Sequence, residues 1–150
     1  MAITRPVPRH LSLVTLGVRD VAASRVFYEA LGLTASGFGS TEIAFFDMNG
    51  TVLALYGREA LAQDAHVASG VEGFHATALA FNVASETDVD AVIAHAEACG
   101  ATITRRPEHV FWGGYSGYFA DPDGHLWEVA FNPVFPMTED GRLIVPPPQT

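Results

Sequence analysis

The chain has 150 residues, 49% of them hydrophobic and 17% charged, with a formal net charge of −9, and a chain of this length buries about two thirds of its unfolded surface, enough for one core. The acidic balance repels a phosphate backbone and argues against nucleic acid as a partner, and no apolar run approaches the ~20 residues of a membrane span. All eight basic residues are arginine, which removes Schiff-base chemistry and the lysine of a phosphate-binding P-loop.

The first residues, Met-Ala-Ile-Thr-Arg-Pro, lack the apolar stretch and small-residue cleavage pattern of an export signal, so the expected location is the cytoplasm. The apolar run from Leu11 to Val18 reads as a strand closed by Arg19-Asp20. Val21, Ser24, Phe27, Tyr28 and Leu31 then recur with a period near 3.6, predicting a helix over 22–31 that Gly32 stops. Three short β-prone runs follow, Thr34 to Phe38, Glu42 to Asp47 and Val52 to Tyr56, the last two joined by an Asn49-Gly50 hairpin signal. The stretch from Arg58 to Phe74 is mostly small and polar and reads as a connection, with Glu59 to Gln63 helical.

The second half replays this order. Thr77 to Val83 reads as a strand, Glu86 to Cys99 as a helix ended by Gly100, and Ala101 to Arg105 as a strand. Cys99, the single cysteine, cannot close an intramolecular disulfide and reads as a small buried hydrophobe. Phe45-Phe46-Asp47-Met48-Asn49-Gly50-Thr51-Val52 aligns with Phe119-Ala120-Asp121-Pro122-Asp123-Gly124-His125-Leu126, and the two helix ends match as well. One helix for every four short strands does not satisfy an all-parallel plan, so the fold class is α+β, built from two tandem β-α-β-β-β modules. Residues 1–132 are expected to form a single domain, with modules at about 10–57 and 74–132 joined by a linker over 58–73. Residues 133–150 form a proline-rich arm, whose extended Leu143-Ile144-Val145 would lie on the domain or on a partner subunit.

The stretch Gly117-Tyr118-Phe119-Ala120-Asp121-Pro122-Asp123-Gly124-His125-Leu126-Trp127-Glu128-Val129, with Leu16-Gly17-Val18-Arg19-Asp20 leading to Ser24-Arg25-Val26-Phe27-Tyr28-Glu29-Ala30-Leu31-Gly32, resembles the vicinal oxygen chelate superfamily of glyoxalase I, bleomycin-resistance proteins and extradiol dioxygenases. The resemblance runs from about residue 10 to 132. It implies a curved, cup-shaped mixed β-sheet with helices outside, often in a homodimer, holding a ligand or divalent metal inside the cup. Metal-chelating members place one ligand on the first and last strand of each module, and those positions fall here on Leu13, Ala54, Ala78 and Glu128. One carboxylate does not make a zinc or iron(II) site. The expectation is therefore no cofactor and no family metal centre, with a divalent ion held by Glu128 and His10 or His75 as the alternative.

Small inward residues leave room for an organic molecule, and Leu13, Thr15, Ala54, Tyr56, Ala78 and Asn132 are the expected cup-lining contacts. The loop from Phe111 to Tyr118 combines aromatic side chains with glycines and reads either as a lid, bringing Trp112 and Tyr115 to the ligand, or as a β-bulge with aromatic packing. Glu128 is the candidate acid or base, because an inward carboxylate among alanines requires a partner. Its structural alternatives are an ion pair with Arg19 or Arg106, or a hydrogen bond to Tyr56 or Thr15. The leading reading is a metal-free protein binding a small organic molecule. The rivals are a metal-dependent glyoxalase-like lyase or isomerase, or a ring-cleaving dioxygenase, using Glu128, and a chain whose only task is subunit pairing.

Overall fold

The computed structural model describes residues 10–70, 73–147 and 149. Two compact units divide the chain, Met1–Val71 and Glu72–Thr150, and each carries its own sheet and helices. The architecture is mixed α+β, with seven strands and three helices among the described residues.

In the first unit, β1 (Leu13–Val18) leads to α1 (Val21–Leu31), followed by β2 (Ile43–Asp47), β3 (Val52–Gly57) and α2 (Arg58–Asp64). The sheet order is β1-β3-β2, with β1 parallel and β2 antiparallel to β3. Helix α1 starts where Asp20 accepts a hydrogen bond from the Ala23 amide at 3.0 Å, an N-cap that satisfies one of the first orphan donors. It ends at Gly32, whose φ of 124° is open to glycine but strained for other residues. The helix buries Val21, Ser24, Phe27 and Tyr28. The Tyr28 ring lies 6.1 Å from that of Phe46 on β2, so α1 covers the face of the sheet that carries Phe46, Leu53 and Leu55.

Asn49 at φ 57° and Gly50 at φ 114° form the predicted hairpin turn. The strand expected over Thr34 to Phe38 is reduced to one bridge, Ala35 to Phe46. The Ser36 hydroxyl accepts the Phe38 amide proton at 3.1 Å, a local turn that competes with the ladder. The helix within 58–73 packs onto β1, where a Cβ at Gly17 would stand 3.4 Å from both Arg58 Cα and Leu61 Cδ2. The absent side chain at Gly17 is what allows that approach.

In the second unit, β4 (Ala78–Asn82) leads to α3 (Glu86–Ala98), then β5 (Thr102–His109), β6 (Tyr115–Ala120) and β7 (Leu126–Phe131). The order is β4-β7-β6-β5, with β4 parallel to β7 and the other pairs antiparallel. Ser85 caps α3 through the Asp88 amide at 3.1 Å, and Glu86 and Asp88 place negative charge at the positive end of the helix dipole. Under α3 lie Phe119, Trp127 and Val129, with the Phe81 and Trp127 rings stacked at 4.5 Å.

The turn from Asp121 to Gly124 is an Asx device. The buried Asp121 carboxylate accepts from the amides of Asp123 at 2.9 Å and His125 at 2.8 Å, which fixes the register of β6 against β7. Beyond β7, a bridge between Met137 and Leu143 closes a turn at Asp140-Gly141.

Candidate functional site

Alternation along a strand sends successive side chains to opposite faces, so each sheet has a face away from its long helix. In the first unit this face carries Leu13, Thr15 and Gly17 on β1, opposite Val52, Ala54 and Tyr56 on β3, and then Phe45 and Ile43 on β2. One end of it opens into a cavity of about 730 Å³, lined by Leu13, Val52, Phe38, Phe45, His10 and Asp47 among others. The Phe38 and Phe45 rings stand 6.0 Å apart, and Phe38 is 79% exposed. The wall is therefore largely aromatic and aliphatic, with one carboxylate, one imidazole and the hydroxyls of Ser12, Ser36 and Thr51. Of the residues expected in the first module, Leu13 lines this cavity, while Thr15 and Tyr56 are half-buried further along the face. Ala54, at 0% exposure between Thr15 and Phe45, has no accessible surface for a ligand.

In the second unit the corresponding face carries Ala78, Ala80 and Asn82 on β4, Leu126, Glu128 and Ala130 on β7, and Ser116, Tyr118 and Ala120 on β6. Glu128 lies directly between Ala80 and Tyr118. Ala78 and Ala80 are exposed, and Glu128 is half-buried. Tyr118, directly opposite it on β6, is not among the partners expected from the sequence. Burial, and after it the charge of Glu128, push the Tyr118 hydroxyl above the ordinary tyrosine range, against an opposing pull from Arg105.

The Arg105 guanidinium sits 5.0 Å from the centre of the Tyr118 ring, a cation–π geometry. It donates to the Ser116 carbonyl at 2.9 Å and to the hydroxyl of the same fully buried serine. Its Nε lies 3.7 Å from Glu108 Oε1, within ion-pair range but beyond a hydrogen bond. Arg106 turns the other way and binds Glu97 in a bidentate pair at 2.6 and 2.8 Å. That guanidinium holds the Glu97 carboxyl below its usual range, chiefly through the hydrogen bonds.

The aromatic loop divides between two roles. Its end, Tyr115, belongs to β6 and points toward α3, where its hydroxyl donates to Asp90 at 2.6 Å. Tyr115 thus lies on the opposite face of the sheet from Glu128, a correction to its expected place beside the ligand that follows from strand alternation. Trp112 folds over Gly114, where a Cβ would fall 1.8 Å from the indole ring and 2.7 Å from the Phe131 carbonyl. Asn132 accepts from the Val134 amide at 2.9 Å and so turns the chain at the end of β7. Tyr118, Arg105 and Ser116 were not singled out by the sequence reading. Their signal was present, because the Asp121 turn that sets Glu128 inward also places Tyr118 opposite it.

Among the described residues, no group of three or more His, Cys, Asp or Glu is arranged to hold a metal ion. The His75 and His125 rings stand 6.3 Å apart, His109 pairs with Glu86 at 2.7 Å, and His95 lies 3.6 Å from the Cys99 sulfur.

Parallel–antiparallel sheets of this kind, each backed by a helix and repeated in two units, define a paired-module α+β protein. The chain belongs to the Glyoxalase/Bleomycin resistance protein/Dioxygenase superfamily, whose family model matches residues 10–129. It is similar to a glyoxalase-related enzyme from Fulvimarina pelagi, at 40% identity over 92% of this chain and 99% of that one, with a TM-score of 0.82. A protein from Agrobacterium tumefaciens solved by solution NMR is similar at 31% identity, over 81% and 96% of the two chains, with a TM-score of 0.68. The fold is shared by a glyoxalase/bleomycin resistance protein/dioxygenase family enzyme from Burkholderia phytofirmans, at 24% identity over 81% and 98%, with a TM-score of 0.74. No curated protein matches the chain.

The family typically employs a divalent metal, and the residues here do not fit one at the usual positions. Leu13, Ala54 and Ala78 offer hydrocarbon, which leaves Glu128 as the one donor group.

Proposed function

We propose that this glyoxalase-family protein binds a small, largely apolar or aromatic organic molecule, without the family's usual metal centre, and works as a cytoplasmic homodimer. The observation that carries the reading is the cavity bounded by Leu13, Val52, Phe38 and Phe45, whose ~730 Å³ falls in the range of small-molecule sites. Its composition is that of such sites, an apolar wall with a few polar groups to fix orientation. The subunit pairing is supported by Leu143, Ile144 and Val145, a contiguous run that is 40%, 44% and 62% exposed.

The test is calorimetric titration with planar aromatic compounds, comparing the unaltered chain with Phe38→Ala. Binding in the unaltered chain that weakens by about tenfold in the variant supports the reading, since an aromatic contact of this kind contributes about 1–1.5 kcal/mol. Binding of equal strength in both removes the cavity from the account. Absence of binding across the series removes the ligand-binding reading itself.

A further inference from the structure

Asp47 in the first unit and Asp121 in the second hold equivalent places in the duplicated hairpin, but the strands around them pair differently by one residue. In the second unit the last pair before the turn is Ala120 with Leu126. Asp121 therefore stands in the turn, buried, and accepts the amides of Asp123 and His125. In the first unit the last pair is Asp47 with Val52, so Asp47 is still part of β2. It is exposed, and among the described residues its carboxylate accepts one amide, that of Asn49, at 2.9 Å.

Strand alternation puts Asp47 on the face of β2 that carries Phe45, away from the fully buried Phe46. Leu13, Val52 and Asp47 then form one row across the sheet, and all three line the cavity. The bond to Asn49 ties the carboxylate to the hairpin backbone, and an ionised carboxylate has about four acceptor sites, so capacity remains for a ligand. Among the described residues no arginine lines the cavity, and His10 is the other titratable group on its wall. Phe38 and Phe45, with rings 6.0 Å apart, add aromatic faces, which attract cations. The chain as a whole carries −9, so its field also favours approach of cations over anions.

We infer that the cavity of the first unit selects planar aromatic cations, with the flat body against Phe38 and Phe45 and over Leu13 and Val52, and a cationic N–H group hydrogen-bonded to Asp47. This inference rests on the proposed ligand binding and names the class of molecule that the same cavity takes. The rings and hydrocarbon accept any flat apolar body of suitable size. The carboxylate discriminates: it favours a cation over a neutral molecule of the same shape and disfavours an anion. An amidinium on an aromatic ring fits the description well, because it is planar and presents two parallel N–H groups to one carboxylate.

The experiment is calorimetric titration of the full chain with three probes of one shape, naphthamidine, naphthamide and naphthoate, which are cationic, neutral and anionic. The amidine should bind tighter than the amide by about tenfold, the size of one charge-assisted hydrogen bond, and the amide tighter than the carboxylate. Asp47→Asn keeps an acceptor for the Asn49 amide and removes the charge, and should bring the amidine to the affinity of the amide. Thr51→Arg places a cation on the cavity wall and should weaken the amidine and tighten the naphthoate, which keeps the test decisive if the asparagine variant does not fold. Equal binding of amidine and amide, both weakened by Phe38→Ala, overturns this inference and leaves the ligand-binding reading standing. So does an amidine preference that survives Asp47→Asn, since it would then come from the overall field of the chain. Binding that Phe38→Ala leaves unchanged, or failure of all three probes to bind, overturns both.

Discussion

Tyr118 and Glu128 stand directly opposite each other on β6 and β7, and the arrangement has a consequence that can be measured. The folded chain raises the Tyr118 pKa, first by burial and then by the charge of Glu128. A group whose folded pKa is raised contributes stability that is fully present below the unfolded value and disappears as pH rises through the folded one. For Tyr118 the loss therefore begins above about pH 10, and neutral pH lies safely below it. Glu128→Gln removes the negative charge but not the burial, so tyrosinate absorbance should show the Tyr118 transition move partway back toward the ordinary range. A transition that stays where it was would mean that Glu128 and Tyr118 are not coupled.

At the scale of elements, one close constraint is the pairing of β6 with the irregular strand β5. A Cβ at Gly117 would lie 3.1 Å from the Arg105 carbonyl and the Pro107 nitrogen, and 3.2 Å from Pro107 Cδ. The nearest of these are backbone atoms of a hydrogen-bonded neighbour, which cannot retreat as a flexible side chain would. Gly117→Ala should cost about 1–3 kcal/mol by urea denaturation, as an overpacked site does. Gly17→Ala, whose new methyl would meet α2 at an ordinary 3.4 Å, should cost less. Equal losses at the two positions would show that the strand pairing is more compliant than its geometry suggests. The elements that could be read from the sequence are those specified by local chemistry: the helix ends at Gly32 and Gly100 and the Asn49-Gly50 hairpin. The segment at Thr34 to Phe38 was not legible, because its β-prone composition competes with the Ser36 turn and only the outcome of that contest decides the ladder. Tyr115 was misplaced for a related reason. The aromatic run looked like one loop, but β6 begins at Tyr115, and alternation then sends Tyr115 to α3 and Tyr118 to Glu128.

For the whole molecule, the duplicated plan separates fold from chemistry. Both modules keep the caps, turns and buried aromatic residues that build the sheets, and the family match over residues 10–129 spans both. The inward positions are under no such demand, since an alanine or leucine there leaves the strands intact. Of the four positions that chelate metal elsewhere in the family, three are hydrocarbon, and a catalytic zinc requires about three protein ligands. Elemental analysis of the purified chain should accordingly find no divalent metal near one per chain, and chelator should leave the melting temperature unchanged. The measurement is sensitive: an ion present at a hundred times its Kd would stabilise the fold by about 2.7 kcal/mol, which for a chain of this size is roughly 5–10 °C in melting temperature. A stoichiometric metal whose removal lowers the melting temperature by that amount would place the donors at histidines outside the usual positions, with the His75 and His125 pair as the first to substitute. In that event Glu128 would have to be re-examined as part of a metal centre.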